Sequence, residues 1–107
     1  VMFEYFKKGK ISLEKVVEKM CHNPAILFEI EKRGYVKEGY KADLVIINPN
    51  AEITVSKKNI QSKCGWSPLE NETFHSEITH TFVNGFLAYE NGKVSPEKHG
   101  ERLLFER

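Results

Sequence analysis

The feature that most constrains this chain is a change of hydrophobic period at Gly34. Before it, apolar residues recur at helical spacing. Leu13, Val16, Val17 and Met20 fall at i, i+3, i+4 and i+7, which places them on one face of an amphipathic helix. Met2, Phe3 and Phe6 give a shorter apolar face that Gly9 interrupts, and Ser12 stands where an N-cap belongs. Asn23-Pro24 predicts a new helix, with Asn23 as its cap and Pro24 in its first position. Ala25, Ile26, Leu27, Phe28 and Ile30 fill that helix, and Gly34 is the expected glycine at its end.

After Gly34 the pattern is that of strands. Residues 42–47 are a short, nearly uniform apolar run, which predicts a strand buried on both faces. Asn48-Pro49-Asn50 predicts a turn, and residues 52–56 alternate as a second strand. Residues 78–83 and 86–90 read as two strands joined by Asn84-Gly85, the dipeptide favoured in two-residue hairpins, and Asn91-Gly92 turns the chain once more. In the tail, Leu103, Leu104 and Phe105 are the residues expected to pin the C-terminus. About four strands with a doubly buried member need a second layer to cover them, and no candidate for it occurs in these residues. The chain also opens on Val1-Met2-Phe3, inside an apolar element, so a longer parent protein is the expectation.

Charge and composition narrow the function. A net charge of +1, with acids and bases interspersed, gives no electrostatic reason to expect nucleic acid or an anionic membrane as partner. No run is apolar and long enough for a transmembrane helix, and residues 1–8 lack the order of a secretory signal. Cys21 and Cys64 form no CxxC pair, which points to free thiols in a reducing cytosol. His22, His75, His80 and His99 include no His-x-His. Cys21 and His22, adjacent on a helix, point about 100° apart and make a poor chelate. His75, His80 and Cys64 match no standard zinc spacing.

Three stretches carry a resemblance. Gly34-Tyr35-Val36-Lys37-Glu38-Gly39-Tyr40-Lys41-Ala42-Asp43-Leu44-Val45-Ile46 resembles the segment of cyclic amidohydrolases in which the chain leaves a metal-binding (β/α)8 barrel and enters a small β-sandwich. His80 to Gly85, with Tyr89 to Lys93, resembles the closing hairpin of that sandwich. Lys63-Cys64-Gly65-Trp66-Ser67-Pro68-Leu69-Glu70 resembles a loop of dihydroorotases and hydantoinases, with Leu69 in place of the commoner phenylalanine. Cys21-His22-Asn23-Pro24-Ala25 and Gly100 to Phe105 also resemble dihydroorotase sequence. In the pattern this chain resembles, Asp43 starts a strand, which implies a structural hydrogen bond for it rather than acid catalysis.

The resemblance implies an α+β fragment: residues 1–34 as the last helices of a metal-dependent (β/α)8 amidohydrolase barrel, and residues 35–107 as part of a small antiparallel β-sandwich. It implies a cytoplasmic parent enzyme that uses two zinc ions to interconvert N-carbamoyl-L-aspartate and dihydroorotate in pyrimidine synthesis. That parent is expected to be a homodimer with a small-molecule substrate, completed by the barrel and first strands of its own chain. The family's metal ligands match no position here, so no catalytic or metal role passes to any residue, and the chain alone is expected to hold no zinc and to be inactive. Dihydropyrimidinase, hydantoinase, allantoinase and a non-catalytic scaffold protein remain the alternatives.

The candidates for pocket wall or interface lie in the long loop. Residues 57–76 have no period, yet include Ile60, Trp66, Leu69 and Phe74, too apolar for a solvated linker. Trp66, beside Gly65 and Ser67-Pro68, is placed to rest on a barrel mouth or a second subunit, and Lys63 to meet an anionic group. The loop is therefore expected to pack on a surface outside its own strands.

Overall fold

Ser12 opens the main helical segment of the computed structural model, which describes residues 1–106. Its side chain accepts a hydrogen bond from the Lys15 backbone N–H at 3.2 Å, filling one of the orphan donors of a helix start. A short helix α1 (Met2–Lys7) precedes it. The segment itself comprises α2 (Leu13–Val17), a π-helical turn (Glu18–His22) and α3 (Asn23–Leu27).

Two sequence expectations need correction here. Asn23 is not a cap: it lies in right-handed helical conformation (φ −62°, ψ −42°) inside a helix that does not break. Pro24 has no N–H to give to the preceding turn, and its ring crowds the carbonyl four residues back. The widened π turn just before it absorbs both problems. Gly34 is not the glycine that ends the helix. The end falls at Phe28, where Glu29 takes the left-handed conformation (φ 55°) usually left to glycine. Glu29 N–H then bonds to Ile26 O and Ile30 N–H to Ala25 O, the bond pair of a Schellman motif. Gly34 (φ 87°) serves a different purpose. The returning chain lies so close to the helix that a Cβ there would sit 2.6 Å from Ala25 Cβ and 2.7 Å from the Cys21 carbonyl oxygen.

The second half is a four-stranded antiparallel sheet in the order β1-β4-β5-β6: β1 (Leu44–Asn48), β4 (Glu77–Val83), β5 (Phe86–Glu90) and β6 (Lys93–Val94). Between β1 and β4 the chain makes a separate ribbon of β2 (Ile53–Thr54) and β3 (Thr73–Phe74). Asn84 (φ 52°) and Gly85 (φ 83°) form the two-residue hairpin with both residues at positive φ, closing Val83 against Phe86. Asn91 and Gly92 repeat it between β5 and β6. Register slips at Thr79 and at Ala88 mark two bulges. Each spare carbonyl finds a donor beyond a neighbouring strand: Thr79 O accepts from Asn91 N–H at 2.8 Å and Ala88 O from Ser95 N–H at 2.8 Å. The tail is held by its backbone rather than by buried side chains: Phe105 bridges Ile30, and Leu104 O accepts from Glu31 N–H while the Leu104 side chain stays exposed.

Little of this is closed. Among the described residues, Val16 and Ala25 are the only buried hydrophobic ones. The expected burial of the first strand on both faces is not met within this chain: Val45 is 52% and Ile46 48% exposed, and adjacent strand residues face opposite sides. The radius of gyration is 15.4 Å, against about 13 Å for a compact domain of this length. The accessible surface is 8442 Å², against roughly 6100 Å² for a monomeric globular protein of this mass.

Candidate functional site: an apolar groove between helices and sheet

Where the helical segment and the strands fail to meet, they leave an open groove of about 1480 Å³. Helical spacing brings Leu13, Val16, Val17 and Met20 to one wall, beside Met2 and Phe3 of α1. Val45, Ile47, Ile78 and Tyr89 come from the sheet. The long loop supplies Ile60, Trp66, Ser67 and Pro68. Of the four loop candidates, the structure therefore brings Trp66, Ser67 and Pro68 together on the groove, with Trp66 61% exposed, and leaves Lys63 exposed away from its lining. The loop is not formless. A 3₁₀ turn (Lys57–Asn59) carries a capping box between Ser56 and Asn59, and turns at Ser62–Gly65 and Ser67–Glu70 follow.

Two polar ties join residues 1–34 to the strand half of the chain. At the first, the carboxylate of Glu4, buried at 8% exposure, accepts from the His75 backbone N–H at 2.9 Å and meets His75 Nδ1 at 2.7 Å. The His75 backbone N–H, then its side chain, hold the Glu4 carboxyl below the ordinary carboxylate range. Lys7 Nζ adds bonds to the carbonyls of His75 and Pro49. At the second, Arg33 donates to Asp43 Oδ2 and to Asn84 Oδ1, the latter at 3.1 Å. Asp43 Oδ1 accepts from Asn84 N–H at 2.8 Å, and Asn84 Nδ2 donates to His99 O at 2.6 Å. Asp43 thus has the structural role its place at the strand start suggested. The pairing of Glu4 with His75 was missed in the sequence, although an acidic residue inside the apolar run Met2-Phe3-Phe6 is a signal that it needs an internal partner.

The histidines are each engaged separately. His75 meets Glu4, His80 lies 3.7 Å from Glu90, His99 lies 3.3 Å from Glu97 and stacks on Phe86, and His22 stacks on Tyr35 with ring centres 4.1 Å apart. Among the described residues no three His, Cys, Asp or Glu side chains converge to hold a metal ion. The residues present therefore do not fit a zinc pair. Both cysteines are free thiols. The Ser62 hydroxyl, 3.2 Å from Cys64 Sγ, and then the Trp66 backbone hold the Cys64 thiol below its ordinary value. No helix among the described residues is long and apolar enough to cross a membrane.

Helices, sheet and loop recur together in known proteins. The model of the Amidohydrolase family matches residues 2–93. The chain belongs to the amidohydrolase family. Among curated relatives, it is 32% identical to the dihydroorotase of Pyrococcus furiosus over 97% of its own length and 25% of the relative's. With the dihydroorotase of Clostridium acetobutylicum it shares 34% identity over 79% of its length and 20% of the relative's. Among solved structures, the L-hydantoinase (dihydropyrimidinase) from Arthrobacter aurescens superposes with a TM-score of 0.83 at 32% identity, over 90% of this chain and 22% of that one. The chain spans about a quarter of the length of these amidohydrolase relatives.

Proposed function

We propose that this chain is part of a dihydroorotase, which reversibly cyclises N-carbamoyl-L-aspartate to dihydroorotate in de novo pyrimidine synthesis. The observation that carries the reading is the 32% identity to a dihydroorotase along 97% of the chain, helices, loop and sheet alike. In this reading residues 1–34 are the last helices of the barrel and residues 35–107 part of the β-sandwich. The rest of the same polypeptide supplies the barrel, the first strands and the ligands for two zinc ions. The complete enzyme is cytoplasmic, acts on a small-molecule cyclic amide and assembles as a homodimer. A second reading, another cyclic amidohydrolase, draws on the equal identity to an L-hydantoinase.

The test is an assay of the complete polypeptide loaded with zinc, against dihydroorotate, dihydrouracil, hydantoin and allantoin. Turnover of dihydroorotate well above the other three is expected. Preference for hydantoin or dihydrouracil would move the assignment to the second reading, and an inactive polypeptide lacking the ligands would make it a scaffold protein. The 107-residue chain alone is expected to show no turnover above a no-protein control. It should also show no stoichiometric zinc site tighter than about micromolar, roughly −8 kcal/mol.

A further inference from the structure

The sequence holds two Asn-Gly pairs, Asn84-Gly85 and Asn91-Gly92, and the fold puts both in two-residue hairpin turns of one sheet. An asparagine side-chain amide is open to attack by the backbone nitrogen of the next residue. Glycine there leaves the approach unhindered, since it has no Cβ. The two turns thus carry the same reacting groups and differ in what holds them.

At the first turn the groups are engaged. Gly85 N–H, whose nitrogen is the nucleophile, donates to Ala42 O at 3.0 Å. Asn84 Oδ1 accepts from Arg33 Nη2 at 3.1 Å, and Asn84 Nδ2 donates to His99 O at 2.6 Å. The turn also joins the two longest neighbours in the sheet, β4 and β5. At the second turn Asn91 and Gly92 are exposed, and among the described residues neither the Asn91 side chain nor Gly92 N–H makes a hydrogen bond. This turn leads into β6, which is two residues long and lies at the sheet edge, so it opens with the loss of little pairing.

We propose that Asn91 is a site of spontaneous modification, converted through a cyclic imide to isoaspartate and aspartate, while Asn84 is protected from the same reaction. Gly92 N gives its proton to hydroxide, and its electron pair attacks Asn91 Cγ. The N–Cγ bond forms, the Cγ–Nδ2 bond breaks, and Nδ2 leaves as ammonia with a proton from water. Water then opens the imide at either carbonyl, so the net change is water taken up and ammonia released, with no oxidant or reductant. Opening at the backbone carbonyl leaves isoaspartate, which lengthens the main chain by a methylene and takes Glu90 and Lys93 out of register. Opening at Cγ leaves aspartate and adds a carboxylate next to Glu90.

Incubation of the complete polypeptide in warm, mildly alkaline buffer tests it, followed by peptide mapping with fragment ions that separate Asn84 from Asn91. No turnover is measured, so the outcome is independent of which cyclic amide the enzyme takes. In the folded protein Asn91 should convert about a hundredfold faster than Asn84, because the three hydrogen bonds of Asn84 and Gly85 must break first. In the same polypeptide unfolded in urea, the two should convert at similar rates. Equal rates in the folded protein, or a faster Asn84, would overturn the proposal. So would a folded protein in which neither residue converts, because Asn91 would then be protected despite its free amide.

Discussion

The Arg33 junction and the Trp66 loop both connect parts distant in sequence, and they do so in opposite ways. At the junction, Arg33, Asp43, Asn84 and the His99 carbonyl complete one another's hydrogen bonds, and the Arg33 side chain is only 14% exposed. The loop brings Trp66, Ser67 and Pro68 to the groove, where Trp66 remains 61% exposed. Polar groups leaving water need partners at specific distances, and this chain supplies them itself. Apolar surface needs only area, and here the area is not supplied. The junction should therefore behave alike in this chain and in the complete polypeptide, while the loop should not.

The largest effect tests the closed side. Gly34→Ala puts a Cβ 2.6 Å from Ala25 Cβ and 2.7 Å from the Cys21 carbonyl, at a φ of 87°. The cost should be about 3 kcal/mol in urea unfolding. Gly65→Ala, at a φ of 72° with nothing within 4 Å of the new Cβ, should cost about 1 kcal/mol. Equal costs would mean that the helix and the returning chain are not in close contact, and that Gly34 matters only for its dihedral.

Asp43→Ala comes next. It removes the acceptor of Arg33 and of Asn84 N–H together and should cost about 2 kcal/mol. Asp43 is itself 35% exposed, so the loss stays below that of a deeply buried pair. The same loss is expected with and without the rest of the polypeptide. A loss seen only in the complete protein would break the comparison, since the junction would then also depend on outside cover.

Much of the closed side was legible in the sequence, because its signals are local. Ser12 caps, Asn84-Gly85 turns and the strand after Asp43 forms, each from chemistry within a few residues. The misses have physical reasons. Asn23-Pro24 looks like a helix start, and a π turn lets the helix run through it. Glu29 takes the left-handed position where a glycine was expected five residues later. Burial of Val45 and Ile46 was inferred from their apolarity, but apolarity states what a residue needs and not whether this stretch of chain supplies it. The site was half legible. Trp66, Ser67 and Pro68 do line one groove, whereas the Glu4–His75 tie, spanning 71 positions, has no local pattern beyond a misplaced acid.

That tie gives a pH signature. The Glu4 carboxyl is held below its ordinary range by the His75 backbone N–H first, so its charged form is favoured in the fold. Its contribution is fully present above the ordinary carboxylate value and is lost as pH falls through the lower folded one. The stability difference between wild type and Glu4→Gln should accordingly be constant near neutrality and shrink in acid. A difference that grows on acidification would show that Glu4 is uncharged in the fold.

The smallest effect in this chain, Trp66→Ala, probes the open side. A side chain 61% exposed has little to lose, and the change should stay within about 0.5 kcal/mol in the 107-residue chain. The complete polypeptide should respond differently. A covered tryptophan removes on the order of 200 Å² from water, worth several kcal/mol at most at about 25 cal/mol per Å². Gly65 and Pro68 shape the loop into fixed turns, so its ordering is largely settled before any cover arrives. If the cover is the barrel mouth, Trp66→Ala should lower kcat/KM with the metal content unchanged. If it is a second subunit, the dimer should weaken while the chemistry stays intact. Should the complete protein show normal kinetics, stability and assembly, residues 57–76 are only a long connection, and the loop and the junction differ in exposure but not in purpose.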